Sequence, residues 1–456
     1  MARLLSLESV LTFGFLAALT ATQIQNHYST AIPSGAKVAP LPAAVFNDSV
    51  GVNTHLNYPG TAYDTDYAKW SATLLRSPIK HVRDGFCSWG TASTFCTGRW
   101  RTRWNQLAAA GVKFDVITNP WEGWTSGTTG CHGTCNDGYL SALGVTPSSI
   151  AAYEGPNECD INKSAQCTNV GTTDALPGVQ TVVKWAPYYW QLASSNVAIY
   201  SAAMAFPQDY SEFGNLSSYM NYCAIHDYTK PLQPESNTLT IGLVVWQAEV
   251  PAMCGSNRSA IPIVSTETGY PTGPPYTKYG GESQLAQERY TPRILFFHLE
   301  HRVFHVYFYE LIDEGAQGSG DTWGLLSENG TPKPAWTRLM QLMSYFKDTR
   351  SAPGTPLRYS LTGDTSGVLQ QVLFQRSNGT YILVPWLGTQ QWDWTTDSDI
   401  SPTKETLTLT LPSSVKSVTV TKFGDYGART LTTVSGTNGK FPLPVSSLIE
   451  AVSFHT

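Results

Sequence analysis

Between Val50 and Asp313 the chain alternates eight short apolar or β-branched runs with helix-like connectors, and that alternation constrains the fold more than any other feature. The runs are 50–56 (VGVNTHL), 81–85 (HVRDG), 114–118 (FDVIT), 150–158 (IAAYEGPNE), 197–204 (VAIYSAAM), 222–228 (YCAIHDY), 261–269 (IPIVSTETG) and 303–313 (VFHVYFYELID). Helical connectors are visible as DYAKWSATLLRS before the second run and RWRTRWNQLAAAG before the third, the latter ending on a glycine suited to a helix C-terminus. GYLSALG, VVKWAPYYWQLASS and ESQLAQERYTPRILFFHLEHR precede the fourth, fifth and eighth. Strands separated by helices imply a parallel sheet, and eight units over this span match the ~250 residues of a (β/α)8 TIM barrel. A doubly wound open sheet would carry fewer strands and often a glycine-rich phosphate turn. The glycine cluster at 313–324 (DEGAQGSGDTWG) has no P-loop lysine and opens no helix, so no nucleotide cofactor is expected.

After residue 350 the texture changes. Residues 355–456 carry short alternating strands and turn signals, VLQQVLFQRSNGTYILVPW with its Asn-Gly turn among them, which predicts a small all-β sandwich. The expected organisation is a barrel over 50–345 and the sandwich over 355–456, with 23–49 an arm that packs on the sandwich. Residues 1–22, with Arg3, an apolar stretch from Val10 to Leu19 and small residues after it, resemble a secretory signal too short to span a bilayer. The eight cysteines all precede residue 255 and are even in number, as in an oxidising, extracellular setting; pairing of sequence neighbours gives 87–96, 131–135, 159–167 and 223–254. Acceptor sequons for N-glycosylation occur at Asn47, Asn162, Asn215, Asn257, Asn329 and Asn378. Net charge is −5 with no run of Lys or Arg, which argues against a nucleic-acid partner. Fourteen Trp and 23 Tyr suit stacking on sugar rings as well as core packing.

In a barrel of this kind the active site lies at the C-terminal ends of the strands. The polar residues there are Asn53 and His55 (first strand), Arg83 and Asp84 (second), Asn157 and Glu158 (fourth), His226, Asp227 and Tyr228 (sixth), Glu267 (seventh), and Tyr309, Glu310 and Asp313 (eighth). Strands four and seven lie three apart in a ring of eight, so Glu158 and Glu267 face each other across the mouth. Two facing carboxyl groups are what glycosidic cleavage requires, one to protonate the leaving oxygen and one to attack carbon or activate water. The facing geometry suits the ~5–5.5 Å of a retaining pair; an inverting pair at ~6.5–9.5 Å is the alternative. Glu154 shares strand parity with Glu158 and is the rival acid, but it lacks a preceding Asn. Trp121 and Trp124, after the third strand, are candidate sugar platforms. His226, Asp227 and His305 would serve a metal-dependent hydrolase instead.

The Asn157-Glu158 pair, Glu267 within VSTETGY, Arg83, the His-x-Tyr of 226–228 and WGLLSENGTPKPAW (323–336) resemble a clan A retaining glycoside hydrolase, over about residues 50–340. The resemblance implies Glu158 as general acid/base, its proton retained through burial and a negative neighbour, and Glu267 as a nucleophile kept ionised by Arg83 and Tyr228. It implies that Asn157 meets the sugar 2-hydroxyl, and that His226, His55, Trp121 and Glu310 line the substrate site. The substrate would be an oligosaccharide, polysaccharide or glycoconjugate with a β-linkage, cleaved without cofactor or metal. Tyr309 and Glu310 stand where many clan members have a Trp, and Cys159 stands where Pro often follows the Glu. A catalytically inactive barrel that only binds carbohydrate is the alternative from another functional class.

Overall fold

A computed structural model describes residues 36–87, 94–118, 144–161, 197–236, 242–257, 259–273, 281–315, 322–349, 354–363 and 368–456, with four isolated helical positions near 186. Eight parallel strands form one sheet: β1 (Val50–Asn53), β2 (His81–Gly85), β3 (Lys113–Ile117), β4 (Ile150–Glu154), β5 (Ala198–Tyr200), β6 (Cys223–His226), β7 (Ile263–Thr268) and β8 (Val306–Phe308). The pairing order is β5-β4-β3-β2-β1-β8-β7-β6. A parallel bridge between Tyr200 and Tyr222 brings the two ends together, so the barrel is nearly closed. The expected (β/α)8 architecture is thus the observed one.

The strands are shorter than their apolar runs. Strand β4 stops at Glu154 and not at Glu158: the Gly155 amide reaches Ser201 O at 3.4 Å, so close to Ala202 that a Cβ would clash, and Pro156 brings no amide hydrogen to continue the ladder. Strand β8 covers Val306–Phe308 of an eleven-residue run, and past it the amides of Tyr309 and Leu311 still bond Thr268 O of β7 and Asn53 O of β1. Helices α1 (Tyr67–Arg76) and α2 (Arg101–Ala109) fall where expected. Helix α2 closes with Gly111 at φ 87° and with amide bonds from Gly111 to Ala108 O and from Val112 to Leu107 O, the paired capping bonds that a glycine at this position permits. The connectors expected at 138–144 and 182–195 lie largely outside the described residues.

Beyond α3 (Leu243–Glu249), α4 (Gln284–Glu300) and α5 (Pro334–Tyr345) comes the β-domain. Its strands are β9 (Ser360–Thr362), β10 (Leu369–Gln375), β11 (Tyr381–Leu387), β12 (Lys404–Thr410), β13 (Ser417–Phe423), β14 (Arg429–Ser435), β15 (Lys440–Ser446) and β16 (Glu450–Phe454). A three-stranded sheet, β9-β12-β15, faces a six-stranded one, β14-β13-β16-β11-β10, whose last place is taken by Leu41–Pro42 from the N-terminal segment. Lys37–Val38 pairs with Leu357–Arg358 as well, so the chain before the barrel is built into the β-domain.

Strand β11 reads YILVPWL with no polar position because both its faces are covered. Leu383 and Leu387 join the core between the sheets, while Ile382, Val384 and Trp386 join the barrel core against Phe296 of α4. Helix α4 is buried along 286–299 for the same reason: it lies between barrel and sheet. Its charges are matched across that seam. Arg289 binds Asp425 at 2.7 Å, Glu288 accepts from Arg338 and from the amides of Tyr426 and Gly427, and Arg293 pairs with Glu235.

Two of the four expected disulfides form among the described residues, Cys87–Cys96 and Cys223–Cys254. Cys131, Cys135 and Cys167 lie outside them. No described helix is long and apolar enough to cross a membrane.

Candidate active site

Arg83, 1% exposed in the middle of β2, organises the mouth. Its Nε and Nη2 donate to both oxygens of Glu154 at 2.6 and 2.9 Å. Nη1 donates to Glu267 Oε1 at 2.6 Å and to Asn53 Oδ1 at 2.9 Å, and Nη2 also reaches Asn157 Oδ1 at 2.8 Å. Asn53 is itself fixed by bonds from its amide to the carbonyls of Thr266 and Tyr307. A planar fork with five N–H groups can hold this many acceptors in one orientation, which a lysine could not.

Glu154, the rival acid, is fully buried, and Thr266 donates to the oxygen that Arg83 Nη2 also holds. It anchors Arg83 and has no route to solvent. Glu158 lies four residues on, at φ 47°, a left-handed conformation uncommon for a side chain of this size. The turn carrying it is fastened to the loop after β5. The Glu158 amide donates to Ala203 O at 2.9 Å, and Asp160 accepts from the amides of Ala205 and Phe206. Burial pushes the Asp160 carboxyl up to about 6, against those amide bonds. Cys159 is buried and disulfide-bonded. The apolar run therefore delivers Glu158 from a pinned turn, with its side chain 23% exposed, and not from a strand end.

Glu267 ends β7 opposite. Tyr228 donates to its Oε2 at 2.7 Å while Arg83 holds Oε1. Burial alone would raise this carboxyl, but the charges of His226 and Arg83 and the bonds from Tyr228 and Arg83 outweigh it and hold the group below its ordinary value. His226 stands between the two glutamates, its Nδ1 2.8 Å from Glu158 Oε1 and its Nε2 3.7 Å from Glu267 Oε1. Burial would lower the imidazole, yet Glu267 and the bond to Glu158 raise it above its ordinary value. One oxygen of Glu158, one of Glu267 and a His226 nitrogen all lie within 4.8 Å of one another.

A second cluster lies where β1 and β8 end. His55 Nδ1 is 2.9 Å from Glu314 Oε1 and 3.6 Å from Glu310 Oε2, and Tyr63 donates to Glu310 at 3.0 Å. Burial works to lower His55, but Glu314 and Glu310 hold it well above its ordinary value. Burial also pushes Glu310 well up, with Glu314 adding to the effect against His55. Tyr309 separates this cluster from the first, 5.7 Å from the His55 ring and 6.5 Å from that of Tyr228, and Trp323 packs against both tyrosines.

Of the residues expected at the site, Arg83, Asn157, Glu158, His226, Tyr228 and Glu267 form one bonded network, and His55 and Glu310 form its neighbour. Trp121 and Trp124 lie outside the described residues. His226, Asp227 and His305 do not converge. Asp227 turns to His298 at 2.8 Å and to Ser265, while His305 precedes β8 beside His81 at the opposite end of the barrel. The two histidine-carboxylate clusters have donor atoms a divalent cation could use, but each is already matched by its own ion pairs. Thr266, Tyr63 and Glu314 are participants that the sequence left unnamed, while Asn53 stood only among the strand-end polar residues and Glu154 only as the rival acid. The signal for Thr266 and Glu314 was adjacency, one position from Glu267 and from Asp313.

This fold is that of the clan A glycoside hydrolases, the structural neighbours of the chain, which pair such a barrel with C-terminal β-sheets. A family 39 glycoside hydrolase from the gut symbiont Bacteroides cellulosilyticus WH2 aligns over 90% of this chain and 81% of its own, with TM-score 0.58 and 14% identity. The family 30 subfamily 8 xylanase Xyn30A from Clostridium acetobutylicum covers 92% of this chain and 98% of its own, with TM-score 0.53 and 12% identity. A thermostable family 51 α-L-arabinofuranosidase from Thermotoga petrophila RKU-1 covers 91% and 97%, with TM-score 0.54 and 10% identity. At these identities the common property is the fold. No protein-family profile and no curated protein sequence matches the chain.

Proposed function

We propose that the protein is a retaining O-glycosidase that hydrolyses a β-linked glycan by double displacement. The observation that carries this reading is the facing pair of carboxyl groups, an oxygen of Glu158 and one of Glu267 coming within 4.8 Å of each other with His226 between them. An inverting enzyme needs ~6.5–9.5 Å to seat a water between them, and a retaining one ~5–5.5 Å. The asymmetry of the pair supports the assignment of roles. Glu267, locked by Arg83 and Tyr228 and held below its ordinary pKa, is an oriented anion, the state a nucleophile needs. Glu158, partly exposed and bonded to His226 alone among the described residues, is free to pass a proton to a leaving oxygen and take one from water.

In the first step a Glu267 oxygen attacks the anomeric carbon while Glu158 protonates the departing oxygen, giving a glycosyl ester and the free alcohol. In the second, Glu158 draws a proton from water, whose oxygen displaces Glu267 and restores both side chains. Asn157 gives its amide oxygen to Arg83, so its NH2 is the group directed to the sugar 2-oxygen. His226 lies between the two glutamates, bonded to Glu158 and 3.7 Å from Glu267, and its raised pKa favours the charged form that offsets Glu267. The buried disulfides fit an enzyme exported to an oxidising compartment.

The test is chemical rescue. The Glu267→Ala variant should lose activity on aryl β-glycosides and recover it with azide, yielding a glycosyl azide, because the small anion occupies the vacated carboxylate space. If azide restores no turnover on any substrate the wild type cleaves, Glu267 is not the nucleophile. If the wild type binds glycans and cleaves none, the barrel is a binding protein.

A further inference from the structure

Resting on the glycosidase reading, we infer that Asp115 is a positioning residue of this site: it stands inside the barrel as a neutral carboxylic acid and donates a hydrogen bond to Glu154. Strand register puts it there. Asp115 of β3 is paired with Arg83 on β2 and with Ala152 on β4, and residues so paired point to the same face of a sheet. Arg83 reaches inward to Glu267 across the ring. Ala152 packs with Tyr200, Ala224, Val264 and Tyr307, and side chains from five different strands can meet only in the barrel interior. Asp115 is 1% exposed, and neither of its oxygens meets a donor among the described residues.

The titratable groups that face it are Arg83 from β2, Glu154 from β4, Tyr200 from β5 and Tyr307 from β8. The N–H groups of Arg83 are all taken, two by Glu154 and one each by Glu267, Asn53 and Asn157. Neither tyrosine hydroxyl donates to Asp115. What remains is Glu154, close enough to hydrogen-bond with it. Two buried carboxyl groups in contact hold one proton between them, because ionising both sets like charges side by side. Glu154 is the better anion of the two, since Arg83 Nε donates to its Oε2, and Arg83 Nη2 and Thr266 donate to its Oε1. The proton therefore rests on Asp115, whose pKa is pushed well up by burial and by the Glu154 charge. Oε2, with one donor to the two on Oε1, has room for the Asp115 O–H. As an acid, Asp115 gives Glu154 a further donor and adds no charge beneath Arg83. As a carboxylate it would set three anions around one guanidinium and compete with Glu267 for its field.

The test has a spectroscopic and a kinetic arm. Infrared difference spectra at neutral pH, wild type minus Asp115→Asn, should show the C=O stretch of one protonated carboxyl group. Absence of that band means that Asp115 is ionised and overturns the inference, whether or not the protein cleaves glycosides. On an aryl β-glycoside that the wild type cleaves, Asp115→Ala should lower kcat about tenfold with little change in KM, as Glu154 and Arg83 lose their alignment. Asp115→Asn, whose NH2 can make the same bond, should bring kcat back to within about threefold of the wild type. It should also leave the acid limb of kcat/KM in place. If Asp115 were charged, this variant would remove a negative charge beside Arg83 and move that limb to lower pH, which also overturns the inference. Equal losses in the two variants, or none in either, would remove Asp115 from the positioning of the site. If the wild type cleaves no glycoside, the glycosidase reading fails, and the infrared band by itself upholds or overturns the placing of the proton.

Discussion

Among the described residues Arg83 and Arg293 are the arginines most completely removed from solvent, and they are used in opposite ways. Arg293, on α4, meets one carboxylate, Glu235, through both arms of its fork, and its remaining arm goes to Thr389 O at 2.7 Å. Trp386 of the β-domain caps the same carboxylate from the other side at 2.5 Å. Charge cancels, each nitrogen of the fork has an acceptor within the protein, and the assembly sits in the seam between barrel and sheet. Arg83 meets two carboxylates, and the second, Glu267, also faces the mouth. The surplus negative charge is balanced by His226, which in turn leans on a third, Glu158. A buried charge cluster that closes on itself ties domains together. One that leaves a carboxylate oriented and a neighbouring one exposed is prepared to react.

Substitutions can separate the two uses. The largest effect is expected at Glu267, where Glu267→Gln should lower kcat on the order of 10^4-fold or more with only a modest fall in melting temperature. At the structural arginine the order reverses. Glu235→Ala leaves Arg293 buried without its counter-ion and should cost about 3–5 kcal/mol of stability in a denaturant titration, with kcat unchanged below the transition. Replacing both members, Glu235→Leu with Arg293→Met, should restore most of that loss, since an apolar pair needs no desolvation. A double variant as unstable as the single one would mean that the Trp386 and Thr389 contacts dominate the seam.

Glu154 joins the two behaviours, because it is as buried as Glu235 but serves the reactive cluster. Glu154→Gln should lower kcat by about 10^2-fold with a small change in KM, since Arg83 loses the anchor that aims it at Glu267. It should also move the acid limb of kcat/KM to lower pH, because removing one negative charge from Arg83 leaves more of the guanidinium's field for Glu267. A purely structural Glu154 would lower activity without moving that limb.

The smallest effects are those of pH on the wild type. Glu267 is held below its ordinary value, so the acid limb of kcat/KM should lie below the ~4.3 of a free glutamate. By linkage, a lowered folded-state pKa gives stability that is present above the unfolded value and is lost as pH falls through the folded one. His226 has the opposite sign. Its raised pKa gives stability that is full below about 6.5 and is lost as pH rises through the folded value. Denaturant titrations across this range should show both slopes in the wild type, and His226→Asn should shrink the upper one and leave the share of His55, which is raised as well.

The barrel was readable because periodicity alone marks it: eight apolar runs at βα spacing leave few other folds. The ends of its strands were not. IAAYEGPNE reads as one continuous strand, but pairing lapses at Gly155-Pro156, where the proline brings no amide to the ladder and the chain turns to present Glu158. The facing glutamates were legible from strand count, since position in the ring follows from order. The division of labour between Glu154 and Glu158 was only half legible. The preceding Asn favoured Glu158, but the bidentate claim of Arg83 on Glu154 depends on side-chain direction across 71 residues, which no local pattern carries. Glu314 escaped for a similar reason, because its partner His55 lies at the other end of the barrel sequence.

If Glu158 and Glu267 act by two successive displacements, the released sugar must keep the anomeric configuration of the substrate. Proton NMR of the sugar freed from an aryl β-glycoside, recorded before mutarotation, reads that configuration directly. The β-anomer should appear first, and the α-anomer only as the free sugar equilibrates. Initial appearance of the α-anomer would mean a single displacement by water. It would rule out a covalent intermediate on Glu267 and leave the short gap between the two carboxyl groups without a catalytic role.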